Sequence, residues 1–191
     1  MGLFDAIFRR NVPPKAKLDP FFALSTAIIS FTELGWIPAG KCGLVIKPAT
    51  SLYYQTAAEE LRELLQLTIS ETKSKLSIQN DEYGYTWFLF ADQDWDDLVQ
   101  LVHLSAETLK ENGYDTQLLA AVFPFLHKKS NEQLYLIYYY KRGTFYPFIP
   151  TDHQRKQRNH SLEQRVFTML EKELPWEKDT SFWYPLWGCP V

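Results

Sequence analysis

The sequence has few of the residues that build disulfide, metal or phosphate sites. Its 191 residues include two cysteines, Cys42 and Cys189, four histidines and eight glycines. Two distant cysteines are too few for a secreted disulfide scaffold, and the histidines lack a zinc-binding spacing. Neither a glycine-rich phosphate loop nor a serine nucleophile elbow is present. We therefore expect no metal and no cofactor, and the sequence identifies no catalytic residue.

A basic surface and long apolar runs are also missing. The net charge is −3, which argues against a nucleic-acid partner because phosphate binding needs a basic face. The dense basic run Arg155–Arg158 is typical of a solvated loop. No run of 18 apolar residues exists, and the N-terminus lacks the order of a signal peptide. These absences indicate a cytoplasmic protein without a transmembrane helix.

The first ten residues form a short amphipathic pattern. Its apolar residues fall on one helical face and precede Arg9 and Arg10; they are Leu3, Phe4, Ile7 and Phe8. Such a segment can bind an anionic membrane surface as a peripheral contact at the inner membrane face. It can equally dock on the protein's own core, and an isolated helix this short is marginal and can stay disordered. These alternatives remain open.

Aromatic residues are abundant, at 16% of the chain, which favours sheets and interfaces. Helical periodicity or capping predicts helices at 20–35, 57–69, 94–112 and 161–174. Alternation and turn residues predict strands at 41–47, 75–80, 85–90, 117–127, 133–141 and 144–148. We predict one α+β domain over residues 1–191, with an antiparallel β-sheet of two hairpins plus short strands, and helices packed on one face. An N-terminal amphipathic segment (1–17) precedes it, and an aromatic C-terminal tail (175–191) should lie across the body.

An aromatic corner of the predicted sheet carries a pair of cations. Tyr140 precedes Lys141 and Arg142, and Tyr146 follows after a glycine turn. Cations beside aromatic rings can bind a partner's carboxylate or stack on its rings. The alternative is that they protect the edge of the sheet from aggregation.

An acidic pair occupies the turn of the first predicted hairpin. Asp81 and Glu82 stand there, and Tyr85 and Trp87 follow in the next strand. The carboxylates suit catalysis or binding, but acidic residues also stabilise turns through their own backbone. Because both charged pairs end aromatic strands of one sheet, we expect them to lie close together. The binding candidates are Asp81, Glu82, Tyr85, Trp87, Tyr140, Lys141, Arg142 and Tyr146.

Several segments resemble the PspA-associated protein family PspAB, in order along nearly the whole chain. They include residues 1–8, 18–24, 81–87, 97–99, 140–148, 159–166 and 183–188. The resemblance implies association with the phage-shock protein PspA, which acts in bacterial envelope stress at the inner membrane face. It implies no catalytic residue. It therefore favours a non-enzymatic accessory protein that binds PspA or another envelope-stress protein.

Two other functions remain open at the level of sequence. One is an enzyme of unknown class with a site near Asp81, Glu82, Lys141 and Arg142. The other is a polypeptide-binding module, because the order of helices and hairpins resembles small secretion-chaperone-like α+β folds. Fold analogy alone does not establish that function.

Overall fold

A computed structural model of the chain describes residues 20–47, 61–63, 66, 69 and 73–191. Its helices are α1 (Pro20–Glu33), α2 (Trp95–Glu111) and α3 (His160–Met169), with 3-10 turns at Asp115–Gln117 and Thr180–Phe182; residues 61–63, 66 and 69 are also helical. The strands are β1 (Trp36–Pro38), β2 (Lys41–Ile46), β3 (Lys75–Asn80), β4 (Thr86–Ala91), β5 (Leu118–His127), β6 (Gln133–Tyr139), β7 (Thr144–Phe148), β8 (Pro150–Asp152) and β9 (Gln157–Arg158). The predicted α+β class is confirmed. The predictions for residues 1–17 and for most of 57–69 lie outside the described residues.

One antiparallel sheet organises the described residues. Its strand order is β3-β4-β2-β5-β6-β7, and β1 also pairs with β5. Both predicted hairpins are present, as β3–β4 and β5–β6, and they share this sheet. Strand β2 lies between the hairpins and pairs with β4 on one side and β5 on the other. The sheet therefore depends on a long-range pairing as well as on local turns.

Helix boundaries follow capping residues. Asp94 caps α2 as predicted, because its Oδ1 accepts a hydrogen bond from the backbone N–H of Asp96 at 2.9 Å. For α3 the predicted start at Ser161 and end at Leu174 are wrong. Asn159 is the N-cap and accepts from the N–H of Leu162 at 3.1 Å, so the helix starts one residue earlier. It stops at Met169, and the carbonyl of the next residue accepts a hydrogen bond from the indole of Trp176.

The two faces of the sheet bury different partners, because successive strand residues point to opposite sides. One face, here called the helix face, packs against α1 and α2; its strand residues include Leu44, Phe88, Phe123, Phe125 and Leu136. The opposite face, here called the tail face, packs against residues 183–191 of the C-terminal tail; its strand residues include Val45, Trp87, Val122, Ile137 and Phe148. Trp176, near the start of the tail, packs in the cluster of the helix face. Helices thus cover one face, as predicted, and the tail lies across the other.

The tail is attached to the sheet near both of its ends. The N–H of Phe145 in β7 donates to the carbonyl of Pro175 at 2.8 Å, and the N–H of Glu177 donates back to Phe145 at 2.8 Å. At the far end, Val191 packs over Gly43 in β2, where an added Cβ would lie 2.6 Å from Val191 Cγ1. A glycine in a central strand is unusual, and here it makes room for another part of the chain.

None of the helices in the described part of the chain is long and apolar enough to cross a membrane.

Candidate functional site

The tail face carries an open groove of about 870 Å³, here called the tail-face groove. Its apolar floor takes one or two residues from each of five strands; they are Trp87, Val45, Leu119, Ala120, Tyr139 and Tyr146. Gln79 of β3, paired with Trp87, adds a polar side chain at the edge of this floor. One wall is the β3–β4 turn with Asp81 to Tyr85, and the other is formed by tail residues 184–190. His153 and Lys156 complete the lining beside this tail wall. The groove therefore exists because the tail covers only part of this face.

A β-bulge shapes the floor. Val45 pairs with Ala120 and Ile46 with Leu118, so Leu119 is an extra residue in β5. Both Leu119 and Ala120 consequently line the groove. Bulges redirect side chains in this way and are frequent beside functional sites.

Asp81 builds the acidic wall. Its Oδ1 accepts from the backbone N–H groups of Tyr83 and Tyr85, both at 2.9 Å. Its Oδ2 accepts from the indole Nε1 of Trp87 at 2.9 Å. These bonds fix the turn and orient the indole in the floor, as the turn-stabilising alternative predicted. Asp81 therefore positions the groove and adds negative charge to it.

Glu82 carries the exposed negative charge at the lip of the groove. Its hydrogen bond with Tyr83 and its charge raise the pKa of that phenol. Tyr83 itself is 70% exposed, so an aromatic ring and a carboxylate stand side by side in solvent. This pair suits a cationic group, which can interact with both.

The floor and the tail wall are aromatic and neutral. Burial raises the pKa of Tyr146, which keeps its phenol protonated and able to donate a hydrogen bond. Tyr184 in the tail wall packs edge to face on Tyr139 in the floor, with ring centroids 6.0 Å apart, and 47% of Tyr184 is exposed. Burial also raises the pKa of the Cys189 thiol to about 11, so it is not a ready nucleophile.

The structure brings five of the eight predicted site residues together. Asp81, Glu82, Tyr85, Trp87 and Tyr146 all line the tail-face groove. The acidic and cationic pairs stand at the same end of the sheet, but β2 and β5 separate the strands that carry them.

The other three predicted residues, Tyr140, Lys141 and Arg142, lie outside the groove lining. Tyr140 packs against the helix face, with its ring centroid 4.9 Å from that of Tyr138. Lys141 is exposed in the β6–β7 turn. The shared site expected from sequence is therefore replaced by a groove that holds the acidic pair without the cationic pair.

Arg142 fastens the tail. Its guanidinium forms an ion pair and two hydrogen bonds with Glu177, whose carboxylate also accepts from Thr144 Oγ1 at 3.2 Å. The hydrogen bond from Arg142 lowers the pKa of Glu177. The guanidinium carbon lies 3.9 Å from the ring centroid of Phe182. The cation–π and carboxylate contacts expected for a partner are thus made within the chain.

A second arginine, missed by sequence reasoning, anchors the middle of the tail. Arg158 Nε donates to both carboxylate oxygens of Glu163, at 2.9 and 3.0 Å. The Glu163 side chain is fully buried and also accepts from the N–H of Ile149 at 2.7 Å. Arg158 Nη1 donates to the carbonyl of Trp183 at 2.7 Å. The basic run is therefore not uniformly solvated, because Arg155 is exposed while Arg158 is buried.

A smaller cavity of about 230 Å³ beside the β5–β6 turn contains a serine–histidine contact. Ser130 Oγ lies 2.8 Å from His127 Nδ1 and donates to Glu132 at 2.6 Å. The N–H of Ser130 also donates to Nδ1, and the carboxylate touches the hydroxyl, not the imidazole. A catalytic triad has the acid on the histidine, so this is a turn network. Within the described ranges no cluster of His, Cys, Asp or Glu could hold a metal ion.

The fold and groove define an α+β protein with a large aromatic surface groove on the sheet face opposite its helices. The family model PspAB, described as PspA associated protein B, matches residues 1–191. The chain therefore belongs to the PspAB family, as the resemblance predicted. No curated protein and no solved structure matches the chain. The family description links this family to PspA.

Proposed function

We propose that the protein is a non-enzymatic accessory protein of the PspA-linked membrane-stress response and acts by protein–protein binding. Its partner in this proposal is PspA or another envelope-stress protein. The observation that carries it is the match of the whole chain to a family described as associated with PspA. We further propose that residues 1–191 form one domain, that the protein works in the cytoplasm, and that residues 1–10 supply a peripheral membrane contact.

The tail-face groove supports binding as the mode of action. Aromatic side chains are enriched at protein interfaces and contribute much of their energy. Tyr83 and Tyr184 offer exposed rings on opposite walls of this groove. A partner that covers them would bury apolar surface without any rearrangement of the sheet.

Purified PspA and the purified chain test the proposal directly. We expect the wild-type chain to bind immobilised PspA, and we expect Tyr83→Ala with Tyr184→Ala to weaken binding at least about tenfold, since two interface anchors are lost. Phe22→Ala is the matched control, because Phe22 is a 62% exposed aromatic on α1, away from the groove. Failure of the wild-type chain to bind PspA, with and without lipid vesicles, would refute the PspA association.

The two other functions predict different results. A secretion-chaperone-like module would bind several unrelated unfolded polypeptides through the same groove, which the same binding assay can measure. The enzyme alternative loses support, because Arg142 is paired with Glu177 and Asp81 is hydrogen-bonded within its own turn.

A further inference from the structure

We propose that the tail-face groove binds an extended, proline-containing polypeptide segment of about six residues, which crosses the strands and places a basic side chain beside Glu82. The inference rests on the proposed function only in taking the occupant to be a polypeptide. It adds the conformation, direction and charge of the bound segment.

The length of the bound segment follows from the number of strands that the groove crosses. The groove floor draws residues from β4, β2, β5, β6 and β7, which are neighbours in that order. Adjacent strands lie about 4.8 Å apart, so the floor spans about 19 Å across four intervals. A polyproline II segment rises about 3.1 Å per residue, which gives about six residues.

The hydrogen bonding of the strands shows that the bound segment lies on the face of the sheet and does not add a strand to it. Strands β2, β5 and β6 are each paired on both sides, and the outer edge of β7 is bridged to Trp176 of the tail. An occupant of the groove therefore cannot extend the sheet by backbone pairing at these strands. It must be recognised by side chains that point out of the sheet.

The chemistry of those side chains favours a proline-containing segment. Polyproline II segments have no internal hydrogen bonds and dock in aromatic-lined grooves. Tyr139 in the floor and Tyr184 in the tail wall provide partly exposed rings for proline and hydroxyls that can donate to its carbonyls. Proline has no N–H, so it leaves no backbone donor unsatisfied against this surface.

The charges fix the polarity of the segment. Glu82 and the charge of Asp81 line the groove at the β3–β4 turn, whereas Lys156 and His153 line it on the side of the tail, where the His153 ring lies 6.1 Å from that of Trp187. A Lys or Arg side chain at the β3–β4 turn would meet the Glu82 carboxylate and the exposed Tyr83 ring together. A carboxylate on the side of the tail would meet Lys156.

A displayed library of random nine-residue peptides, panned on the wild-type chain, tests this inference. We expect selected peptides to share prolines and a basic residue at one end. The consensus peptide, labelled with a fluorophore, should bind at least tenfold more weakly to Tyr184→Ala and unchanged to Phe22→Ala. A peptide with the basic residue replaced by Glu should bind Glu82→Lys better than it binds the wild-type chain. Thermal melting of each variant separates lost binding from lost folding.

Three results would overturn the inference. They are a library that yields no enriched sequence, enriched sequences that lack proline or the basic end, and full binding by Tyr184→Ala. Binding of PspA is measured in parallel on the same variants. If PspA binds the wild-type chain while the library yields no proline-containing peptide, the groove inference fails and the PspA proposal survives. If the selected peptides bind and PspA does not, the groove inference stands and the PspA association fails.

Discussion

The helix face and the tail face are built by the same strands, and the tail face carries a groove of about 870 Å³. On the helix face, helices present regular apolar stripes and fully bury large rings such as Phe88, Phe123 and Phe125. On the tail face, an irregular segment covers the sheet only where its own side chains land, chiefly Trp183 and Val191. Apolar residues on both sides of the strands therefore allow both faces of the sheet to be buried. The element that covers each face decides whether that face becomes closed core or keeps a surface groove.

The two faces also differ in how their cover is fastened. Helices are held mainly by buried apolar area, which is insensitive to charge. Two arginine–glutamate pairs of unequal exposure help to hold the tail. Arg142 and Glu177, 37% and 5% exposed, join the β6–β7 turn directly to the tail. Arg158 and Glu163, 10% and 0% exposed, pair outside the tail, and Arg158 reaches the tail through the carbonyl of Trp183. Charge substitutions should therefore loosen the tail face selectively, and the size of the effect should follow burial.

Loss of the buried pair should have the largest effect. Arg158→Ala leaves the Glu163 carboxylate buried without its main partner and frees the carbonyl of Trp183. Breaking a buried pair in this way costs about 3–5 kcal/mol. The expected result is a drop of that size in the free energy of unfolding, measured by urea denaturation.

Arg155 provides the control for that prediction, since it lies three residues away and is 78% exposed. Arg155→Ala should change the free energy of unfolding by no more than about 0.5 kcal/mol. Equal losses in the two variants would show that burial of the pair does not govern the attachment of the tail.

The close contact between the tail end and β2 gives the second prediction. Gly43→Ala places a Cβ 2.6 Å from Val191 Cγ1, so one of the two must move. Overpacking of this kind costs about 1–3 kcal/mol. Because Val191→Gly removes the clashing group, the double variant should recover part of the stability that Gly43→Ala loses. Additive losses in a double-mutant cycle would mean that the two residues are not in contact.

A capping substitution on the helix-face side gives the third prediction. Asp94→Ala removes the hydrogen bond to the N–H of Asp96 at the start of α2 and should cost about 1 kcal/mol. Asp94→Asn keeps a cap of similar strength and should be nearly neutral. Peptide binding at the tail-face groove should stay unchanged in both variants. A binding defect would contradict the separation of the two faces.

The sequence predicted local features better than distant pairings. The two hairpins and the Asp94 cap were predictable because turn residues and periodicity lie within a few positions. The place of β2 between the hairpins depends on pairings that no local pattern encodes. The partner of Arg142 is Glu177, which is 35 positions away in the chain, so the sequence left both partner binding and protection of the sheet edge open for this arginine. A sequence feature that could have indicated this partner is the acidic residue Glu177 among the aromatic residues of the tail.

The more exposed of the two pairs, Arg142 with Glu177, gives the prediction with the smallest expected effect. The attachment of the tail should depend on pH. Hydrogen bonding from Arg142 lowers the pKa of Glu177 below its ordinary value of 4.5, so the ionised carboxylate stabilises the folded state. That stabilisation is fully present above pH 4.5 and is lost as pH falls through the lowered folded value. Cleavage of the tail by an acid-active protease should therefore rise in the wild-type chain below about pH 4.5.

Glu177→Gln tests the cause of that dependence, because it keeps the shape of the side chain and removes its charge. At neutral pH, with a protease that is active there, its tail should be cleaved faster than the wild-type tail. With the acid-active protease below about pH 4.5, the difference should shrink as the wild-type carboxylate becomes protonated. Asp92, whose pKa is also lowered by hydrogen bonds from Asp94 and Ser74, titrates in both proteins and cancels from the comparison. A constant difference between the two proteins across this range would exclude Glu177 as the titrating group that holds the tail.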